Sequence, residues 1–299
     1  MTRPILPAGV TGLASGHAVA ASVLLVAYAF WSFAGRSLLD ARLDAFTRNL
    51  VEQALLSAFF VVHALAALRP RAVLAYAAIC FVVSNLFENA SVLTGFPFGA
   101  FHHSEATGPR LFEIPWLATP TYMAMGWVSW VVAQVLADRL SLREWRYGRI
   151  GATAIAAVVF TMWDLCNDAV FHTMNRAFFY DHPGPWFGVP LSNFAGWLLT
   201  TATVYGLFGH WLATRPAGEP ERAEPPLSWW YQALAMYVLV AAAGIWRNVR
   251  GGGGEVILSN GDTWRGADLY ASMTLVTLFT MGFVSLLAWL RLSRHPYER

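Results

Sequence analysis

The sequence predicts an all-α protein: a polytopic transmembrane helical bundle of about eight spans, seven being the alternative count, in a single domain over residues 1–299. Hydrophobic residues make up 57% of the chain and charged residues only 13%, about half the charge of a soluble domain of this length. Apolar runs of about 18 residues or more recur from end to end, most of them closed by Gly, Pro or charge. That much apolar surface requires a lipid solvent.

In order, the first four spans are about 14–34, closed by Gly35-Arg36; about 51–68, closed by Arg69-Pro70-Arg71; about 72–93, closed by Gly95 and Pro97; and about 116–137, closed by Asp138-Arg139. The second half has spans at about 149–172, 189–213, 227–246 and 267–290. Span six leads into residues 215–226, where Gly218, Glu219, Glu221 and Glu224 mark a solvated linker, and span seven into a flexible turn at 251–254. No internal repeat is visible. With eight passes, both termini share a side with the even-to-odd loops. That side holds twelve arginines, most densely Arg139, Arg143, Arg146 and Arg149, against eight on the other, so both termini are expected in the cytoplasm. The first 13 residues lack the basic n-region and cleavage pattern of a signal peptide, so span one is expected to be retained.

Composition also excludes function classes. All 20 basic residues are arginine, which rules out a lysine Schiff base, a retinal-type pigment and a P-loop. A formal charge of +2 without a basic, aromatic-interleaved patch gives no expectation of nucleic-acid binding. Cys80 and Cys166 lie inside apolar runs, form no metal-ligand spacing and read as small buried hydrophobes.

Ionisable residues inside spans are the strongest pointers to chemistry, because a charge in hydrocarbon costs at least a few kcal/mol. Asp164, Asp168 and His172 are spaced by four, so a regular helix stacks them on one face, with Asn167 beside them. Two carboxylates in a low dielectric do not both ionise cheaply, and a protonated acid beside an ionised one suits general acid/base work. The alternative is an interhelical hydrogen-bond network that only fixes packing. Span three repeats the theme with Ser84, Asn85, Glu88 and Asn89. Glu88 is an acid or base candidate, or else a satisfied buried carboxylate paired with an arginine such as Arg110.

Each acidic span leads into a loop rich in Gly, Pro and aromatics. The first, 94–115, carries Phe96, Phe98, Phe101 and Phe112 as apolar anchors, with His102 and His103 pointing apart, so that the two cannot conveniently ligate one metal. The second, 175–197, carries Trp186, Phe187, Asn193 and Trp197. Aromatic faces stabilise cations, so an acid in an aromatic, water-poor pocket can make and guide a carbocation from an alkene. Most of the 14 tryptophans are expected to serve packing and the interfacial belt.

Glu88 with Thr94-Gly-Phe-Pro-Phe-Gly99, then Gly108-Pro109, Ile114-Pro115 and Pro120, resemble a known family, as do Trp163-Asp164, Asp168 and Phe187-Gly-Val-Pro-Leu-Ser-Asn-Phe-Ala-Gly-Trp197. These residues, over about 80–200, are similar to the membrane-integral carotenoid hydratases of the bisanhydrobacterioruberin-hydratase type. The chain departs from that pattern at Ala169, Tyr122, Phe178-Phe179-Tyr180 and Phe101-His102-His103. The resemblance implies a bacterial or archaeal cytoplasmic membrane enzyme that adds water across the terminal C=C of an acyclic carotenoid, without a cofactor or metal. It further implies Asp164 or Asp168 as proton donor, and Glu88 acting through His102 to hold and deprotonate the water. Asn85, Phe98, Tyr122, Trp163, His172, Trp186, Asn193 and Trp197 are the candidate substrate-binding residues. Expected partners are a hydrophobic isoprenoid or carotenoid and membrane lipids, with no nucleic acid and the oligomeric state left open.

Four other readings use the same residues. A membrane-integral terpene or carotenoid cyclase would use the same acid. A prenyltransferase would hold Mg²⁺ and diphosphate on Asp164-x-x-x-Asp168, although that face carries no arginine. A lipid or carotenoid carrier would tolerate acid-to-amide changes, and a proton-coupled transporter would show inverted repeats.

Overall fold

Eight long helices form the bundle in a computed structural model that describes residues 8–39, 42–142, 144–146, 149–214 and 224–294. Helix α1 is Ala8–Phe30 continued through a π turn at Trp31–Gly35 and a last turn at Arg36–Leu39. Then come α2 (Ala45–Ala67), α3 (Pro70–Thr94), α4 (Ala118–Leu136) and α5 (Arg149–Ala169, continued through a π turn at Val170–Met174). Helices α6 (Leu191–Ala213), α7 (Leu227–Val249) and α8 (Gly266–Thr277, a π turn at Leu278–Gly282, then Phe283–Ser293) complete it. Each expected span corresponds to one helix, and local chemistry sets the ends. The Asp44 side chain caps α2 by accepting from the Thr47 N–H at 2.6 Å, which holds its carboxyl below the ordinary aspartate range. Pro70 opens α3 at its first turn, and Gly95 closes it in the left-handed conformation at φ 80°.

Six of the helices are long and apolar enough to cross a membrane; α4 and α6 are not among them. Helix α4 is central, packed on α2, α3, α5 and α7, and every residue from 124 to 135 is buried. A helix shielded by neighbours needs no lipid-facing stripe, so it can carry Ser129 and Gln134. The outer helices show the reverse pattern. Val19, Val23 and Val26 of α1, Leu74, Val82 and Leu86 of α3, and Phe279 and Phe283 of α8 are exposed apolar side chains. An apolar exterior around hydrogen-bonded helices is what a bilayer selects, and the protein is an integral membrane protein.

Several tryptophans sit in the interior. Trp127, Trp130, Trp145 and Trp230 are fully buried in one aromatic layer. His63 organises it: its Nδ1 accepts from Trp127 Nε1 at 3.0 Å and its Nε2 faces the Trp229 carbonyl at 2.9 Å. The pair fixes the neutral imidazole with the hydrogen on Nε2. Cys80 and Cys166 are free and buried, as read.

The expected linker at 215–226 lies, through residue 223, outside the described residues, as do residues 1–7 and the counted Arg3, Arg143, Arg215, Arg222 and Arg299. The linker's far end is anchored: Glu224 accepts from the Ser141 hydroxyl at 2.7 Å and the Leu142 N–H at 2.9 Å. The turn at 251–254 is only partly free, because the Tyr270 ring occupies the space a side chain at Gly251 would need. Three short antiparallel ribbons were not legible as strands: β1 (Phe101–His103) with β4 (Phe178–Tyr180), β2 (Arg110–Leu111) with β3 (Ile114–Pro115), and β5 (Glu255–Ile257) with β6 (Thr263–Arg265). All lie in odd-to-even loops, so they gather at the end of the bundle away from the start of α1 and the end of α8.

Candidate functional site

At that end, a cavity of about 580 Å³ opens between the last turns of α1, α3, α5 and α7 and the first turns of α2, α4, α6 and α8. Its acidic wall comes from α5. Asp164 and Asp168 are one turn apart, their carboxyls are within hydrogen-bonding contact, and both are buried. Asn193, in the first turn of α6, donates through Nδ2 to Oδ2 of Asp164 at 3.1 Å and of Asp168 at 2.8 Å. Asp168 lines the cavity, whereas Asp164 lies behind it with Oδ1 unpartnered.

Next to the acids is an aromatic stack. Tyr122 lies on Trp197 with centroids 4.6 Å apart and planes within 16°, and Phe160 stacks on Trp197 at 5.3 Å. Trp163 closes the group edge-on at 5.8 Å from Phe160. Phe98 reaches it from the first loop, 5.7 Å from Trp197. Its position follows from a clamp: the Phe98 N–H donates to Ser91 Oγ at 2.7 Å, and its carbonyl accepts from Ser192 Oγ at 3.2 Å. A Cβ on Gly196 would fall 2.6 Å from Phe98 Cδ1, so only glycine admits the ring there.

The third wall is Glu88. Its Oε1 accepts from the Tyr122 hydroxyl at 2.7 Å, and its Oε2 faces His103 Nε2 at 3.8 Å. Arg110 is not the partner that pairing with Glu88 would need. It donates to Glu105 at 2.8 Å and to the His103 carbonyl at 2.7 Å.

The β1–β4 ribbon covers the site, in the register Phe101↔Tyr180, His102↔Phe179 and His103↔Phe178. Alternation along a strand sends Phe101 and His103 inward and His102 outward. His102 is accordingly 61% exposed, paired with Asp181 at 3.3 Å and stacked on Phe179. The histidine that faces Glu88 is His103, a position passed over in the sequence in favour of His102. Tyr180 is buried beneath the ribbon, and burial with the nearby Asp168, Asp164 and Glu88 pushes its hydroxyl well above the ordinary phenol range. It therefore stays an O–H donor.

The structure thus brings together Asp164, Asp168, Glu88, Phe98, Tyr122, Trp163, Asn193 and Trp197. It places three other candidates off the cavity. The π turn from Val170 breaks the four-residue stacking, so His172 leaves the aspartate face and binds the Phe178 carbonyl at 3.0 Å, behind the ribbon. Asn85 donates to the Phe81 carbonyl at 2.9 Å and to Thr119 Oγ1 at 2.8 Å, tying α3 to α4. Trp186 packs on Phe187 in the outer loop. Among the described residues, no three His, Cys, Asp or Glu side chains stand close enough to share a metal ion.

A second polar group on the cavity, not legible in the sequence, is made by Tyr28, Arg36, Glu52, Gln53, Arg247 and Asn248. Its one available signal was Glu52, the sole acid in α2. Arginines absent from the aspartate face do line the cavity: Arg36, Arg48, Arg176 and Arg247.

Neither the curated proteins nor the solved structures hold a significant match to this chain. Residues 49–253, more than half of the chain and including all of these acids, match the model of the carotenoid biosynthesis protein family, and the chain belongs to that family.

Proposed function

We propose that the protein adds water across the terminal C=C of an acyclic carotenoid or related isoprenoid end group. The observation that carries this reading is the buried Asp164–Asp168 pair, bridged by Asn193 and set beside the Tyr122–Trp197 stack in one cavity. Two carboxyls in contact and out of water hold one proton between them. In the proposed reaction, Asp168 gives that proton to the less substituted alkene carbon, forming a C–H bond and a tertiary cation. The ring faces of Tyr122 and Trp197 stabilise the cation. A water held by Glu88 and His103 then forms the new C–O bond and loses a proton to Glu88, giving a tertiary alcohol. Return of that proton to the aspartates closes the cycle, so the net change is the addition of one water. No redox step is involved.

In this reading the termini are cytoplasmic and the cavity faces away from the cytoplasm. The cavity is large enough for an end group and part of its polyene, while the remainder lies in lipid. The test is expression in a bacterium that accumulates lycopene or an acyclic carotenoid with extended ends, followed by mass spectrometry of the pigments. A gain of one water per modified end is the expected result. An isomer of unchanged mass would overturn hydration in favour of cyclisation.

A further inference from the structure

Each proposed turnover ends with a proton in the wrong place. Water attack leaves it on Glu88, while Asp164 and Asp168 stay in contact and both ionised. Two carboxylates held together out of water are costly, so the return path has to be short. Glu88 is on α3 and the aspartates are on α5, and the β1–β4 ribbon that covers both carries a group suited to join them.

Tyr180 stands opposite Phe101 in that ribbon, so its ring shares the inner face with Phe101, His103 and Phe178. All four line the cavity. Neighbouring rings fix it, with centroids 5.2 Å away at His172, 5.7 Å at Phe178 and 5.9 Å at Phe101. The side chain is 5% exposed and lies on the cavity wall beside Asp168, Asp164 and Glu88. Phe178, on the same face two residues earlier, shows phenylalanine sufficing where the ribbon needs only a ring. The hydroxyl is what Tyr180 adds.

That hydroxyl is uncommitted. Tyr122 donates to Glu88 and Tyr28 to Glu52, whereas the Tyr180 O–H has no hydrogen-bond partner among the described residues. Buried polar groups are normally paired, so this one is left for what the cavity holds. A phenol both donates and accepts, which is what passing a proton along requires.

We propose that Tyr180 carries the proton from Glu88 back to the aspartate pair. This relay rests on the hydration reading. The Glu88 carboxyl proton passes through a cavity water to Tyr180 Oη, and the proton Tyr180 already holds passes to Asp168. One O–H bond forms for each that breaks, the phenol ends neutral, and the aspartates again share one proton.

The test follows product formation by rapid quench, with the full chain in nanodiscs, in wild type and Tyr180→Phe. The resting enzyme already holds its proton, so the first turnover does not use the relay. Tyr180→Phe is expected to form its first product at a rate within about threefold of wild type and later ones at least about tenfold more slowly. Equal slowing of first and later turnovers would make Tyr180 a packing residue and overturn the proposal, as would turnover unchanged throughout. Failure of the variant to fold would overturn it too, because Phe keeps every ring contact and removes a hydroxyl with no protein partner. Absence of a water-added product from wild type would instead overturn hydration, and the relay with it.

Discussion

The Tyr122 hydroxyl donates to Glu88 Oε1 at 2.7 Å while the same ring stacks on Trp197 at 4.6 Å. One side chain therefore joins the carboxylate proposed to hold water to the aromatic face proposed to hold the cation. Tyr122→Phe keeps the stack and removes the hydrogen bond. Turnover is expected to fall roughly ten- to a hundredfold, with little change in half-saturating substrate, because a buried carboxylate left short of a donor costs about 1–3 kcal/mol. Steady-state rates in nanodiscs check this.

The two adjacent histidines separate cleanly. His103→Gln is expected to lower turnover about a hundredfold, the scale of a misplaced reactant, because Glu88 alone would then hold the attacking water. His102→Gln, on the outer face of β1, is expected to stay within about threefold of wild type. Product formation by both variants at matched expression decides it, and the reverse order would remove His103 from the proposed chemistry.

Asp168→Asn and Asp164→Asn each keep side-chain volume and leave Asn193 a partner. Both are expected to fold in detergent and to lose turnover by about 10²–10⁴-fold. Size-exclusion profiles with pigment analysis check both halves. Persistence of wild-type activity in the two variants would end the acid-catalysis account.

Gly196→Ala tests how the first loop is seated. Its Cβ would fall 2.6 Å from Phe98 Cδ1, in a residue whose backbone is clamped by Ser91 and Ser192. Forcing a methyl into that contact is expected to cost about 1–3 kcal/mol and lower Tm, read by thermal unfolding in detergent.

Chelation separates hydration from diphosphate chemistry. Treatment with EDTA is expected to leave turnover within about twofold, since no proposed step uses a metal. Strong inhibition reversed by Mg²⁺ would favour the Asp164-x-x-x-Asp168 diphosphate reading instead.

The helices were legible because apolar runs and their Gly, Pro and Arg stops are local signals. The aspartate pair was legible for the same reason, four-residue spacing on a regular helix. His172 was not, because the π turn beginning at Val170 rotates it away from that face. The choice between His102 and His103 was not legible either. Which face of a three-residue strand points inward depends on its register with Phe178–Tyr180, far along the chain. The Glu52 group escaped because Arg36, Glu52 and Arg247 sit on three helices and meet only in the folded bundle.

The most direct measurement supplies the purified protein in nanodiscs with an acyclic carotenoid in water enriched in both heavy oxygen and deuterium. Hydration requires one heavy oxygen and one carbon-bound deuterium per modified end in wild type, and neither is expected in Asp168→Asn. Deuterium without heavy oxygen, in a product of otherwise unchanged composition, would contradict hydration and make the enzyme a cyclase.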